Sequence, residues 1–193
     1  MYESIKKALY SINPNLTDEE WNFLKSSCSP ASYSKKEFFI QKGEIQTSIG
    51  FVHSGLMRGY YIDEKGDDIS VRFVRENGYA THYSALINRQ PSTYFFQCLE
   101  DTEVILLPYQ KVLEGYEQFK GLERFGRLIA EQVLTFQRSR IEDFQFLSAE
   151  ERYKKFLDSR PALFNRISLS HLSTYLGIQR PSLSRIRKKL AEE

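Results

Sequence analysis

The residues best suited to chemistry stand near the end of the chain. GIQRPSLSRIRKKL, residues 177–190, carries five basic residues and no acidic one. On an α-helix, where each residue turns by about 100°, Leu183, Ile186 and Leu190 form one apolar stripe. Arg185 then lies near the centre of the opposite face, flanked by Pro181, Ser184, Lys188 and Lys189. The DNA major groove admits one helix, and an arginine there can donate two hydrogen bonds to the O6 and N7 of guanine. Serines near a helix start bind phosphate together with backbone N–H groups. Arg187 falls beside the apolar stripe, so packing or a phosphate contact suits it better than base reading. The competing reading is a two-helix hairpin with a solvated basic face.

Such a helix needs a partner to hold it. SLSHLSTYLGIQRPSLSRIRKKL divides at Gly177, which can take the positive φ of a tight turn. The first half turns Leu169, Leu172 and Leu176 inward, with small Ser173 where a crossing helix can approach. Arg180 precedes a proline, is biased out of the α region, and is the expected cap. Pro181 then takes the first helical position, where its missing N–H does no harm. Two short helices, a glycine turn and a basic outer face make a helix-turn-helix pattern.

Other chemistry is sparse. His53, His82 and His171 are dispersed, with no HxH or CxxC pair, so no metal site is expected. Cys28 and Cys98 are too few for a disulfide framework or an iron–sulfur cluster, and suit a reducing cytoplasm. No nucleophile–base constellation or glycine-rich phosphate loop stands out, so neither an enzyme nor a cofactor is expected. No apolar run approaches the roughly 18 residues that span a bilayer, and the amino terminus lacks a signal core. A cytoplasmic protein without a membrane partner is the expectation.

The remaining chain must position the basic helix. Its 193 residues suffice for a genuine core. The net charge of +2 hides an asymmetry: residues 148–193 hold ten Lys or Arg against five Asp or Glu, and the body is mildly acidic. An anionic partner for the tail follows. Thr17-Asp18-Glu19-Glu20 is a capping box ahead of Trp21 and Leu24. From about Tyr33 to Pro108, short β-rich runs (38–40, 49–53, 59–62, 69–74, 94–99, 104–107) are separated by glycines, with DEKGDD as a hairpin signal. Many short strands predict a small barrel or jelly roll. Beyond it, Leu122, Phe125, Leu128, Ile129, Gln132, Val133 and Phe136 recur at helical spacing. That stripe can pack on its own roll and on a second copy, with Phe125, Ile129, Gln132, Val133 and Phe136 as the dimer seam. Ser148-Ala149-Glu150-Glu151 is a second capping box, opening a helix that buries Tyr153, Phe156 and Leu157. The fold class is α+β: a roll with flanking helices over 1–120, a long helix over 121–147, and a small helical domain over 148–193.

This order, with AEERYKKFL and LGIQRPSLSRIRKKL, resembles the Crp/Fnr family of bacterial transcription regulators along nearly the whole chain. The resemblance implies a cyclic-nucleotide-binding-type β-roll, a long dimerisation helix and a helix-turn-helix binding a roughly palindromic duplex as a homodimer. It implies that Arg180, Ser182, Ser184 and Arg185 face double-stranded DNA, with Lys188 and Lys189 nearer the phosphates and RNA polymerase as a further partner. Three departures matter. Pro181 stands where many members have a glutamate, which alters the expected base preference. SRPALFNRI leaves little room for a β-hairpin wing, so a reduced wing or none is expected, and ALFN suits a helix. Aligned back from EDTEVILLP, the family's phosphate cassette falls on NGYATHYSALINRQPSTYFFQCLED, with His82 at the glutamate position and Ser92 at the arginine position. A hydroxyl is a weak substitute for the cationic partner of a cyclic phosphate. His82, Tyr83, Arg89, Ser92 and Thr93 then mark an effector pocket for a ligand other than cyclic AMP, if one exists. The alternative is a ligand-binding or cupin-like, metal-dependent β-roll enzyme with a dimerising helical tail.

Overall fold

The computed structural model describes residues 1–192. The chain divides into two compact units. Met1–Gly59 and Phe73–Val133 form the first, while Tyr60–Arg72 joins the chain from Leu134 onward in the second.

The first unit opens with α1 (Tyr2–Ile12) and α2 (Asp18–Ser27). The Thr17 hydroxyl accepts from the Glu20 amide, and the Glu20 carboxylate accepts from the Thr17 amide, closing the expected capping box. Eight strands follow: β1 (Ser29–Tyr33), β2 (Phe38–Ile40), β3 (Ser48–Ser54), β4 (Met57–Ile62), β5 (Asp68–Val74), β6 (Tyr79–Ala80), β7 (Phe95–Cys98) and β8 (Thr102–Pro108). A short helix, α3 (Tyr83–Ile87), separates β6 from β7. The strands make two four-stranded sheets in the orders β1-β8-β3-β6 and β2-β7-β4-β5. This is the expected jelly roll. Pairing β1 with β8 places Pro30 opposite Ile105. The position is tolerable because β1 is an edge strand, where a missing N–H breaks no ladder.

Strand β3 serves two cores, since successive residues face opposite ways. Phe51 packs with Ile5, Leu9, Trp21 and Leu24 of the amino-terminal helices. Its neighbour Val52 packs between the sheets with Ile40, Met57, Phe96 and Val104. After β8 come α4 (Tyr109–Gln118) and α5 (Lys120–Phe146). Glu20 is buried at the start of α5, where its second carboxylate oxygen accepts the Gly121 amide at 2.8 Å. One side chain therefore caps two helices. Of the 27 residues of α5, only Leu122 is buried.

In the second unit, α6 (Ala149–Ser159) starts at the expected Ser148–Glu151 capping box. A 3₁₀ turn (Pro161–Leu163), α7 (Leu169–Leu176) and α8 (Arg180–Ala191) complete it. Among the described residues from 148 onward there is no strand, so the expected loss of the wing holds, with the helical turn in ALFN instead. Tyr153, Phe156, Leu163, Leu172, Tyr175, Leu176 and Leu183 form its core. The β4–β5 hairpin also contributes: the Ser70 amide donates to Thr174 Oγ1 (3.1 Å), and the Ser70 hydroxyl to the His171 carbonyl (3.0 Å).

Candidate nucleic-acid interface

Leu183 anchors α8 with no exposed surface, and Ile186 and Leu190 are half-buried beside it. This orientation leaves Arg180, Ser184, Arg185 and Lys188 exposed along one face, with Ser182 half-buried at its edge. Arg185 Nε lies 3.4 Å from the Pro181 carbonyl one turn back. Among the described residues, Arg180 and Arg185 have no carboxylate partner. The guanidinium forks remain available to acceptors outside the chain. Arg187 lies on the core side, 5.0 Å from the Phe164 ring. Its charge opposes the rise that burial imposes on the Tyr153 phenol. The two lysines differ. Lys188 reaches only Glu192, at 4.0 Å across exposed side chains, whereas Lys189 is 2.9 Å from Glu150 at the start of α6. Lys189 and Lys154 hold the Glu150 carboxyl below its ordinary value.

The turn preceding α8 is built on Gly177, at φ +63°, ψ +39°. The helix begins one residue earlier than the proline rule suggests: Gln179 is the cap and Arg180 the first helical residue. Gln179 bears the extended backbone conformation in Arg180's place, because the bias of a pre-proline residue against the α region is weaker than the demand of the turn. Gln179 is exposed and makes no side-chain cap, so its amide is free to read an adenine edge. Sequence reasoning passed over it; its place between buried Ile178 and exposed Arg180 was the available signal.

At the cassette position, His82 and Ser92 are brought together, Nδ1 to Oγ at 3.0 Å. Ser92 is buried, donates to the Tyr94 carbonyl (2.8 Å) and accepts from the Tyr94 amide (3.1 Å). Its single proton is thus used, which makes His82 Nδ1–H the donor and leaves Nε2 to accept from Ser84 (3.1 Å). The Ser92 hydroxyl, with one donor and two acceptor sites filled, has nothing left for a phosphate. His82 stacks on Tyr94 at 4.3 Å, and burial lowers its pKa. Tyr83, Arg89 and Thr93 are exposed. Arg89 follows the Asn88 cap of α3 at φ +51°, and its charge acts on the Tyr109 hydroxyl.

The predicted seam residues of α5 are used unevenly. Phe125 packs against its own roll beside Leu122. Ile129, Val133 and Phe136 are half-buried, and Gln132 is exposed. The most exposed apolar residues of the helix body are Leu134 (71%) and Ile141 (58%), seven apart and so on one line. That line lies about 160° around the helix from Phe136. Periodicity favoured the longer stripe and missed it.

Among the described residues, no group of three or more His, Cys, Asp or Glu side chains could hold a metal. No helix is long and apolar enough to cross a membrane. Residues 30–119 match the family model of the cyclic nucleotide-binding domain. No curated protein matches the chain significantly in sequence. Among solved structures, FixK2 from Bradyrhizobium japonicum is similar at TM-score 0.74 and 18% identity, over 86% of this chain and 85% of that one. A regulator of the crp/fnr family from Eubacterium rectale is similar at TM-score 0.71 and 15% identity, over 95% and 88%. The Thermus thermophilus Catabolite Activator Protein is similar at TM-score 0.59 and 19% identity, over 96% and 87%. At these identities the likeness is one of fold.

Proposed function

With residues 30–119 matching the cyclic nucleotide-binding domain and the chain sharing the fold of Crp/Fnr transcriptional regulators, we propose that this protein is a homodimeric, DNA-binding transcription regulator of the cytoplasm. The observation that carries this reading is the exposed face of α8. Among the described residues, Arg180 and Arg185 have no carboxylate partner and project from a helix held by Leu183. Each copy presents one α8 to a major groove, and two-fold symmetry gives a roughly palindromic operator with half-sites about 34–36 Å apart. Arg185 reads bases; Arg180, Gln179, Ser182 and Ser184 supply shorter contacts; Lys188 and Lys189 face phosphate. RNA polymerase is the further partner this role implies.

Residues 1–120 act as the sensor, 121–147 as the dimerisation helix and 148–193 as the DNA-binding domain. A 27-residue helix with one buried residue and an exposed Leu134–Ile141 line calls for a second copy. The effector is not cyclic AMP, because Ser92 is saturated by His82 and Tyr94. If there is an effector of the roll, it meets Tyr83, Arg89 and Thr93.

Selection of bound duplexes from a random pool tests the reading. It should yield a palindromic site, and Arg185→Ala should weaken binding to that site by about 1–3 kcal/mol while relaxing one base position per half-site. Unchanged affinity and base preference in Arg185→Ala would remove the assignment of this face.

A further inference from the structure

The exposed face of α8 is only as well placed as the turn it leaves from. An α-helix ends with four carbonyls that have no intrahelical donor. In α7 these belong to Ser173, Thr174, Tyr175 and Leu176. The turn itself meets the first two: the Gly177 amide donates to both, and the Ile178 amide donates to Ser173. The last two are met by guanidiniums from elsewhere in the second unit. Arg140, on α5, donates to the Tyr175 carbonyl at 3.0 Å. Arg152, on α6, donates to the Leu176 carbonyl at 3.0 Å and to the Leu147 carbonyl, where α5 gives way to α6.

The surroundings of these bonds tighten the grip. The Arg140 guanidinium lies 3.9 Å from the centroid of the Tyr175 ring. The Phe144 ring is 5.3 Å from Arg140 and 5.2 Å from Arg152, and its edge fills the space that a Cβ on Gly177 would need. Among the described residues, neither arginine has a carboxylate partner, and the nearby Asp143 is engaged by Lys155. Both positive charges are therefore directed at the carbonyl end of α7, the negative end of its dipole.

We propose that Arg140 and Arg152 are positioning residues for DNA reading. By holding the last two carbonyls of α7 they fix the turn at Gly177, and with it the direction in which α8 presents Arg180 and Arg185. The proposal rests on the DNA-binding reading above and adds to it two residues that touch no nucleotide. Hydrogen bonds to base edges carry sequence preference and need close alignment, whereas phosphate contacts are indifferent to sequence. The clamp therefore supports discrimination between duplexes rather than affinity for any duplex.

Arg140→Met, which keeps the apolar stem and loses the donors, tests this in the full chain. Arg152 is the less clean probe, because it also ties Leu147. Without DNA, hydrogen exchange should quicken about tenfold at the Gly177 and Ile178 amides and stay unchanged at Tyr153 and Phe156 of α6. On a duplex selected by the unaltered protein, the Kd should rise about tenfold; on a random duplex of the same length it should change by less than about twofold. The slope of log K against log salt should not move. Arg140→Lys, which keeps one donor group, should bind the selected duplex within about threefold of the unaltered protein. Unchanged exchange at Gly177 and Ile178 overturns the clamp. Exchange quickened equally throughout the second unit makes Arg140 a general support and overturns the positioning role. So does unchanged affinity for the selected duplex, or a salt slope lowered by about 0.9, which would put Arg140 on a phosphate. If the unaltered protein selects no duplex, the DNA-binding reading fails and the positioning role with it, while the exchange result still decides whether Arg140 holds the turn.

Discussion

Alanine at Gly177 probes how α8 is set. The left-handed conformation at φ +63° costs a side-chain-bearing residue about 1–2 kcal/mol. A Cβ there would also lie 2.7 Å from Phe144 Cε1, well inside contact distance, so the ring must move. That ring is restrained by guanidiniums on Arg140 and Arg152, 5.3 and 5.2 Å from its centroid. It is also 46% exposed, so displacement should cost only the lower part of the usual 1–3 kcal/mol for overpacking. Together Gly177→Ala should lose about 2–4 kcal/mol, a fall in Tm of roughly 5–12 °C. Phe144→Ala removes the clash and leaves the backbone cost. In that background the same substitution should therefore cost only about 1–2 kcal/mol, a coupling of at least about 1 kcal/mol. Urea unfolding followed by helical circular dichroism measures all four corners of the cycle. The sole tryptophan, Trp21, lies in the first unit, so its fluorescence separates a loss in the second unit from a global one. Equal costs in both backgrounds would refute the claim that Phe144 presses on the turn.

Three further expectations come from the same geometry. Glu20→Ala strips acceptors from the Thr17 and Gly121 amides and should destabilise the first unit by about 2–4 kcal/mol in denaturant titration, while Glu20→Gln keeps one oxygen and should lose about half. Burial raises the Cys28 thiol to about 11, so at pH 8 iodoacetamide should alkylate it on the order of a hundredfold more slowly in the folded protein than in urea; comparable rates would mean the thiol is open. On a selected operator, Lys188→Met should reduce the slope of log K against log salt by about 0.9, and Lys189→Met by less than half as much, because Glu150 already neutralises Lys189. Equal slope changes would show that Lys189 leaves Glu150 when DNA binds.

What could be read from the sequence was what four to fifteen neighbouring residues decide together. Both capping boxes, the DEKGDD turn and the apolar stripe of α8 are of that kind, and each formed. Strand β1 escaped notice because Pro30 argues against a strand unless the edge position is known. The ungapped register that put His82 and Ser92 at cassette positions also brought them within hydrogen-bond distance. The saturation of Ser92 depends on Tyr94 backbone geometry, which no residue type announces. The stripe through Phe125 and Phe136 was real, but parts of it are used within the chain, and the exposed line runs through Leu134 and Ile141.

The shared cap at Glu20 bears on how the roll could be cut out as a fragment. The cyclic nucleotide-binding domain, as a family, matches residues 30–119, and a fragment drawn at those limits would look complete. It would nevertheless omit the carboxylate at 20 and the amide at 121, the two ends of a hydrogen bond that spans 101 positions. It would also omit Ile5, Leu9, Trp21 and Leu24, leaving Phe51 and Ile105 uncovered. A soluble, well-behaved fragment of the roll should therefore begin at residue 1 and run past the first turn of α5.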